Sequence, residues 1–102
     1  MKMDEVITTI ENERDAFFKI LSETDGVKTD SQGVNVIYAL RGLDFRLGVT
    51  INQKHLEACA SFRDGEWIYF VSYQDPSTKE WDNIYSSRNT PEGLIELLFS
   101  QK

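Results

Sequence analysis

Residues 34–51 read VNVIYALRGLDFRLGVTI, and the alternation of side chains in this stretch decides the fold. The main apolar positions are even-numbered before residues 41–42 and odd-numbered after them. Because side chains alternate between the two faces of a strand, a two-residue turn at residues 41–42 places both apolar sets on one face. The pattern predicts an antiparallel hairpin with one buried and one solvent-facing side, in which Tyr38 lies opposite Phe45.

The same test extends the sheet into the following segment. A four-residue loop over residues 52–55 would pair Ile51 with Leu56 and continue the alternation. The alternative for residues 53–60 is a short helix, because these side chains are compatible with helical structure. We favour the strand, since it keeps the register of the sheet intact.

Two further turns complete the predicted sheet. Asp64 and Gly65 form a dipeptide typical of a type I′ turn, which places Phe62 opposite Trp67. The strand over residues 66–74 ends at a turn that contains proline. Residues 81–86 then predict a fifth strand.

Helical spacing of apolar residues appears at both ends of the chain, in residues 3–22 and after Thr90 and Pro91. Threonine suits the N-cap and proline the first helical position. The element order is therefore α-β-β-β-β-β-α. It predicts an α+β fold, a two-layer sandwich whose five-stranded antiparallel meander sheet carries both terminal helices on one face. The length predicts a single domain over residues 1–102.

The composition excludes several classes of protein. The chain has 11 basic and 17 acidic residues and a net charge of −6, which argues against nucleic acid as a partner. One Cys and one His cannot build a disulfide framework or a multi-His metal site. No apolar run approaches the roughly 20 residues that span a membrane, and the first residues lack the pattern of a secretion signal. We expect a cytoplasmic protein with no membrane partner.

The residues that could support nucleophilic catalysis do not converge. Cys59 and His55 fall on one face of a predicted strand, about 13 Å apart, which is beyond hydrogen-bond reach. The glycine spacings match no phosphate-binding loop, and no acidic residue lies within an apolar run that would raise its pKa. The sequence therefore predicts no catalytic residues, no metal and no cofactor, and hence a protein that is not an enzyme.

Acidic residues are concentrated near the N-terminus. The first 30 residues hold eight acidic and four basic side chains, and so carry four of the six net negative charges. Asp4, Glu11 and Asp15 lie along one flank of the predicted helix, which makes them candidates for contact with a partner. The alternative is an ordinary solvated helix face.

The polar face of the sheet is a second candidate surface. In the predicted register, Ile37, Arg46, Ser61 and Ile68 form one row across the strands, and Phe70 lies in the row beside it. Apolar residues together with Arg are enriched at interface centres, so Ile37, Arg46, Ile68 and Phe70 are candidates for a partner or homodimer contact. The alternative is that residues 27–33 or 75–80 cover Ile68 and Phe70.

These observations predict a small acidic, non-catalytic protein-binding module that masks a basic protein partner. An inhibitor or immunity-type protein directed against a nuclease or toxin has this character. One alternative is a small-ligand-binding or regulatory domain with an aromatic pocket between sheet and helices. Its candidate lining residues are Trp67, Tyr69, Tyr73, Trp81 and Tyr85. The other alternative is a homodimer similar to a secretion chaperone.

Overall fold

The computed structural model describes residues 3–100, with side chains described from residue 8 onward. Two helices flank six strands along this part of the chain. The elements are α1 (Met3–Ser22), β1 (Lys28–Thr29), β2 (Asn35–Ala39), β3 (Gly42–Ile51), β4 (Lys54–Arg63), β5 (Glu66–Gln74), β6 (Trp81–Tyr85) and α2 (Pro91–Ser100).

The architecture is the predicted α+β fold, in which both terminal helices pack on an antiparallel sheet. The five predicted strands are all present. The sixth strand is β1, which occupies two residues of the segment expected to be a loop or a frayed strand. It pairs with the end of β3 through Thr29 and Val49, while β2 pairs with the beginning of β3. Two short strands therefore share one edge of the sheet, and β6 forms the other edge.

The core lies between the sheet and the two helices. Alternate residues of β3 are buried, as the sequence pattern predicted. Phe17 and Leu21 of α1, together with Leu94 and Leu98 of α2, pack with them in one apolar cluster. The rings of Phe17 and Phe45 lie 5.9 Å apart, which brings α1 onto the centre of the sheet.

The turn between β4 and β5 forms as predicted. Asp64 and Gly65 have φ angles of 51° and 81°, as a type I′ turn requires. Phe62 consequently lies opposite Trp67, and Arg63 lies opposite Glu66.

The predicted register of the two earlier hairpins is wrong by two residues. Tyr38 lies opposite Leu43 and not Phe45, because the two-residue turn falls one residue earlier than predicted, at residues 40–41. Gly42 is a strand residue, and a β-carbon at this position would collide with the backbone carbonyl oxygen of Phe62. The glycine is therefore needed for the close approach of β4, not for the turn.

The loop between β3 and β4 is also shorter than predicted. It consists of Asn52 and Gln53, both with positive φ, so Ile51 lies opposite Lys54 and not Leu56. Residues 54–63 form a strand, so the alternative of a short helix over residues 53–60 is wrong. Both shifts are by two residues, and therefore the side chains that remain within these strands stay on their predicted faces.

The second helix begins as its sequence indicates. The backbone N–H of Gly93 donates a hydrogen bond to Thr90 Oγ1 at 3.1 Å, and Pro91 occupies the first helical position. This cap fixes the start of α2 beside the sheet. No helix in the described part of the chain is long and apolar enough to cross a membrane.

Candidate protein-binding surfaces

The acidic residues of the helix layer, which consists of α1 and α2, form the first candidate surface. Glu11 and Asp15 are exposed and lie four residues apart on the solvent side of α1. Asp15 forms an ion pair with the neighbouring Arg14, in which Asp15 Oδ1 lies 3.2 Å from Arg14 Nη2. Among the residues that the structure describes, Glu11 forms no ion pair. Asp4 lies outside the residues whose side chains are described.

The far face, which is the side of the sheet turned away from the helices, forms the second candidate surface. Ile37 lies in one row with Asp44, Ser61 and Ile68. The prediction that Arg46 belongs to this row is wrong, since the register shift replaces it with Asp44. Arg46 lies instead in the next row, between Asn35 and Cys59, and this row continues through Phe70 to Tyr85.

Phe70 is covered by residues of its own sheet. Its side chain is only 5% exposed. The Arg46 guanidinium lies 5.9 Å from the ring centre of Phe70, and the ring of Tyr85 lies 5.1 Å from it on the neighbouring strand. Ile37, by contrast, is 45% exposed. The four candidate residues of the far face therefore differ in how much surface they offer.

The arginines of the far face are neutralised within the sheet. Arg46 forms an ion pair with Glu57 at 3.3 Å, and Arg63 forms one with Asp44 at 3.4 Å. Ser61 Oγ donates a hydrogen bond of 2.7 Å to the same Asp44 carboxylate. These cross-strand contacts use the positive charges that a phosphate-binding track would need.

Cys59 and His55 do not form a catalytic pair. Cys59 is fully buried, and burial raises the pKa of its thiol to about 12, although Arg46 opposes this effect. His55 is exposed and contacts Thr50 Oγ1 at 3.3 Å and Asp30 Oδ2 at 3.8 Å. The thiol therefore stays protonated near neutral pH and lacks the exposure of a nucleophile. Within residues 8–100 no group of His, Cys, Asp and Glu could hold a metal ion.

A cleft between the helices and the sheet is the third candidate surface. Its volume is about 130 Å³. Trp67 and Tyr69 of β5 line it together with Ala16 of α1 and Pro91 of α2. Glu13 is the one charged residue among the described side chains that line it. The cleft is thus an apolar and aromatic depression with a carboxylate on its wall.

A second carboxylate acts on the same cleft. Burial raises the pKa of Tyr69, and the negative charges of Glu13 and Glu92 raise it further. Both glutamates are exposed, and neither forms an ion pair within the described part of the chain. The mouth of the cleft is therefore a region of negative potential.

Sequence reasoning missed the position of Glu13 on the cleft, although the spacing of the helix carried a signal. Glu13 precedes Phe17 by one helical turn, so its side chain borders the apolar stripe of α1. The predicted pocket with five aromatic residues is wrong, because the alternation along β6 turns Trp81 and Tyr85 to the far face. Trp67 and Tyr69 remain on the helix side and line the cleft.

The tip of the β2–β3 hairpin carries exposed apolar side chains that the sequence placed on the buried face. Leu40 is 98% exposed because it lies in the turn, and Tyr38 is 69% exposed.

Comparison with models of protein families, with curated proteins and with solved structures finds no match.

Proposed function

We propose that this chain is a small acidic protein-binding module that masks a basic protein partner, in the manner of an inhibitor or immunity protein. The observation that supports the proposal is the state of the charges on the helix layer. Glu11, Glu13 and Glu92 are exposed and unpaired among the described residues, so their negative potential reaches the solvent. Such a surface speeds the encounter with a basic partner and selects against acidic ones.

The far face fits this role less well. Its two arginines are already paired with carboxylates, and Phe70 is buried beneath its own neighbours. A partner that approached this side would meet arginines whose charge is already offset within the sheet. We therefore assign the partner contact to the helix layer, in a protein of the cytoplasm that acts by binding and not by catalysis.

The test is capture of the partner from the source cells, followed by a functional assay. The immobilised chain is compared with the double variant E11Q/D15N and with the matched control E80Q/D82N, which makes the same two changes in the β5–β6 hairpin. We expect a basic protein that is retained by the wild type and by the control, and is lost with E11Q/D15N. Retention should weaken as salt increases, because the contact is electrostatic.

The captured protein is then purified and its activity is measured with and without the chain. Stoichiometric inhibition that E11Q/D15N weakens would support the proposal. Retention of nothing but further copies of the chain, or equal retention by the wild type and both variants, would contradict it.

A further inference from the structure

We propose that the cleft between α1 and the sheet accepts one arginine side chain of the basic partner, with its guanidinium facing Glu13 and its stem against Trp67 and Tyr69. The inference rests on the proposed function and names the group on the partner that is recognised. It follows from the size of the cleft, its lining and the charges at its mouth.

The size of the cleft fits one side chain. Its volume of about 130 Å³ lies close to that of an apolar cavity that holds benzene, which is roughly 150 Å³. Pockets for drug-sized ligands start at roughly 300 Å³. An arginine side chain has about as many non-hydrogen atoms as benzene. A single anchoring residue therefore fills the cleft, and a larger ligand does not fit into it.

The lining combines the two features that an arginine requires. The apolar stem of an arginine packs along aromatic surface, which Trp67 and Tyr69 supply, while its planar, weakly hydrated guanidinium stays free to meet a carboxylate. Glu13 supplies a carboxylate that can accept two parallel hydrogen bonds from it. An aliphatic side chain would leave this carboxylate without a partner.

The start of α2 does not favour an anion in the same place. The first residue of this helix is Pro91, which lines the cleft and has no backbone N–H to donate. The N–H of Gly93 is already bonded to Thr90, and Glu92 adds a negative charge to the first turn. The negative charge of Glu92 therefore offsets the positive end of the α2 helix dipole.

The test uses short peptides as probes. Three peptides of the sequence Gly-Ser-Xaa-Ser-Gly carry arginine, citrulline or norleucine at the central position. Citrulline keeps the shape of arginine but has no charge, while norleucine is purely apolar. Binding is measured by amide chemical shifts and by the fluorescence of Trp67 in a W81F background, in which Trp67 is the one remaining tryptophan.

We expect the arginine peptide to saturate at millimolar concentration and to shift the resonances of the cleft. The variant E13Q/E92Q should weaken this binding at least about tenfold. The matched control E23Q/E80Q removes the same charge from two exposed positions and should stay within about twofold. The variant A16L fills the cleft from an exposed position on α1, and should abolish binding while the dispersion of the spectrum shows an intact fold.

Equal binding of the citrulline or norleucine peptide would overturn the inference, and so would resonance shifts that avoid the cleft. Neither result bears on the capture experiment with E11Q/D15N, because these two residues lie outside the cleft. Failure of the cleft and failure of the proposed function are therefore distinguishable.

Discussion

The helix layer and the far face of the sheet differ in how their charged side chains are paired. On the far face, Arg46 and Arg63 are each held by a carboxylate of a neighbouring strand. On the helix layer, Glu11, Glu13 and Glu92 have no such partner among the described residues. The net charge of −6 is therefore not spread evenly over the surface of the protein. The far face pairs its arginines across strands, whereas the helix layer pairs Asp15 with Arg14 and Glu96 with Arg88 and leaves three exposed glutamates without an ion pair among the described residues.

The largest expected effect tests whether stability comes mainly from the helix side of the sheet. Ile51 faces the helices and is 3% exposed, whereas Ile37 lies on the far face and is 45% exposed. We expect Ile51→Ala to lower the free energy of unfolding by about 2–5 kcal/mol, because it leaves a cavity in the core. The same change at Ile37 should cost less than about 1 kcal/mol. Urea denaturation of both variants would show equal losses if the two faces contributed alike.

A second test concerns the buried centre of the far face. The raised pKa of Cys59 means that the folded protein keeps its thiol proton at pH values where the unfolded chain, with a pKa near 9, has lost it. Stability due to this group is therefore intact below pH 9 and falls as pH rises further, by on the order of 1 kcal/mol at pH 10. The difference between the wild type and Cys59→Ala in unfolding free energy, measured from pH 7 to pH 10, isolates this contribution from other titrating groups.

Thiol reactivity gives an independent check on the same residue. Below pH 9 the native protein should react with a thiol reagent far more slowly than the chain in urea. Equal rates in the two conditions would mean that the far face does not enclose Cys59.

The smallest expected effect compares one carboxylate from each region. Glu57→Gln removes the ion-pair partner of Arg46 at a half-buried site and should lower the free energy of unfolding by about 0.5–1 kcal/mol. Glu11→Gln removes an exposed charge that has no partner on the described chain, and should leave stability within about 0.5 kcal/mol. Thermal and urea unfolding at low and high salt measure both changes. A larger loss for Glu11→Gln would reverse the comparison between the two regions.

The sequence was sufficient to predict the faces of the strands but not their register. A slip of two residues keeps every side chain on its face, so the apolar alternation cannot distinguish the two alignments. Only turn chemistry can do so, and it was clear in one hairpin, where Asp64 and Gly65 favour positive φ. In the first hairpin, Gly42 suggested a turn at residues 41–42. The structure shows instead that this glycine allows the close approach of the β4 backbone.

The length of the loop between β3 and β4 could not be predicted from the sequence for a related reason. Asn52 and Gln53 both adopt positive φ, and a glutamine in this conformation has no sequence signature. The pairing of the flanking strands imposes the turn in this case, which is information that the local sequence does not contain.

The candidate surfaces were predictable to different degrees. The acidic flank of α1 follows from helical spacing alone, and Glu11 and Asp15 are exposed as expected. The cleft was predictable in part, since Trp67 and Tyr69 were candidate lining residues of a pocket between sheet and helices, but its other walls, on α1 and α2, depend on how the helices pack. Arg46 was assigned to the wrong row because a register error moves a residue along the sheet even when its face is correct.

The free edge strand β2 has a consequence for colloidal behaviour. It contains no charged residue and no proline, and Ile37 and Tyr38 are exposed along it. Natural edge strands usually carry charged residues or proline, which prevent pairing with another copy of the chain. Since the chain has a net charge of −6, we expect electrostatic repulsion between molecules to oppose this pairing, with a contribution from the carboxylates of the helix layer. We therefore expect solubility to be lowest near the pI of about 4.7 that the sequence implies, where the net charge and this repulsion vanish.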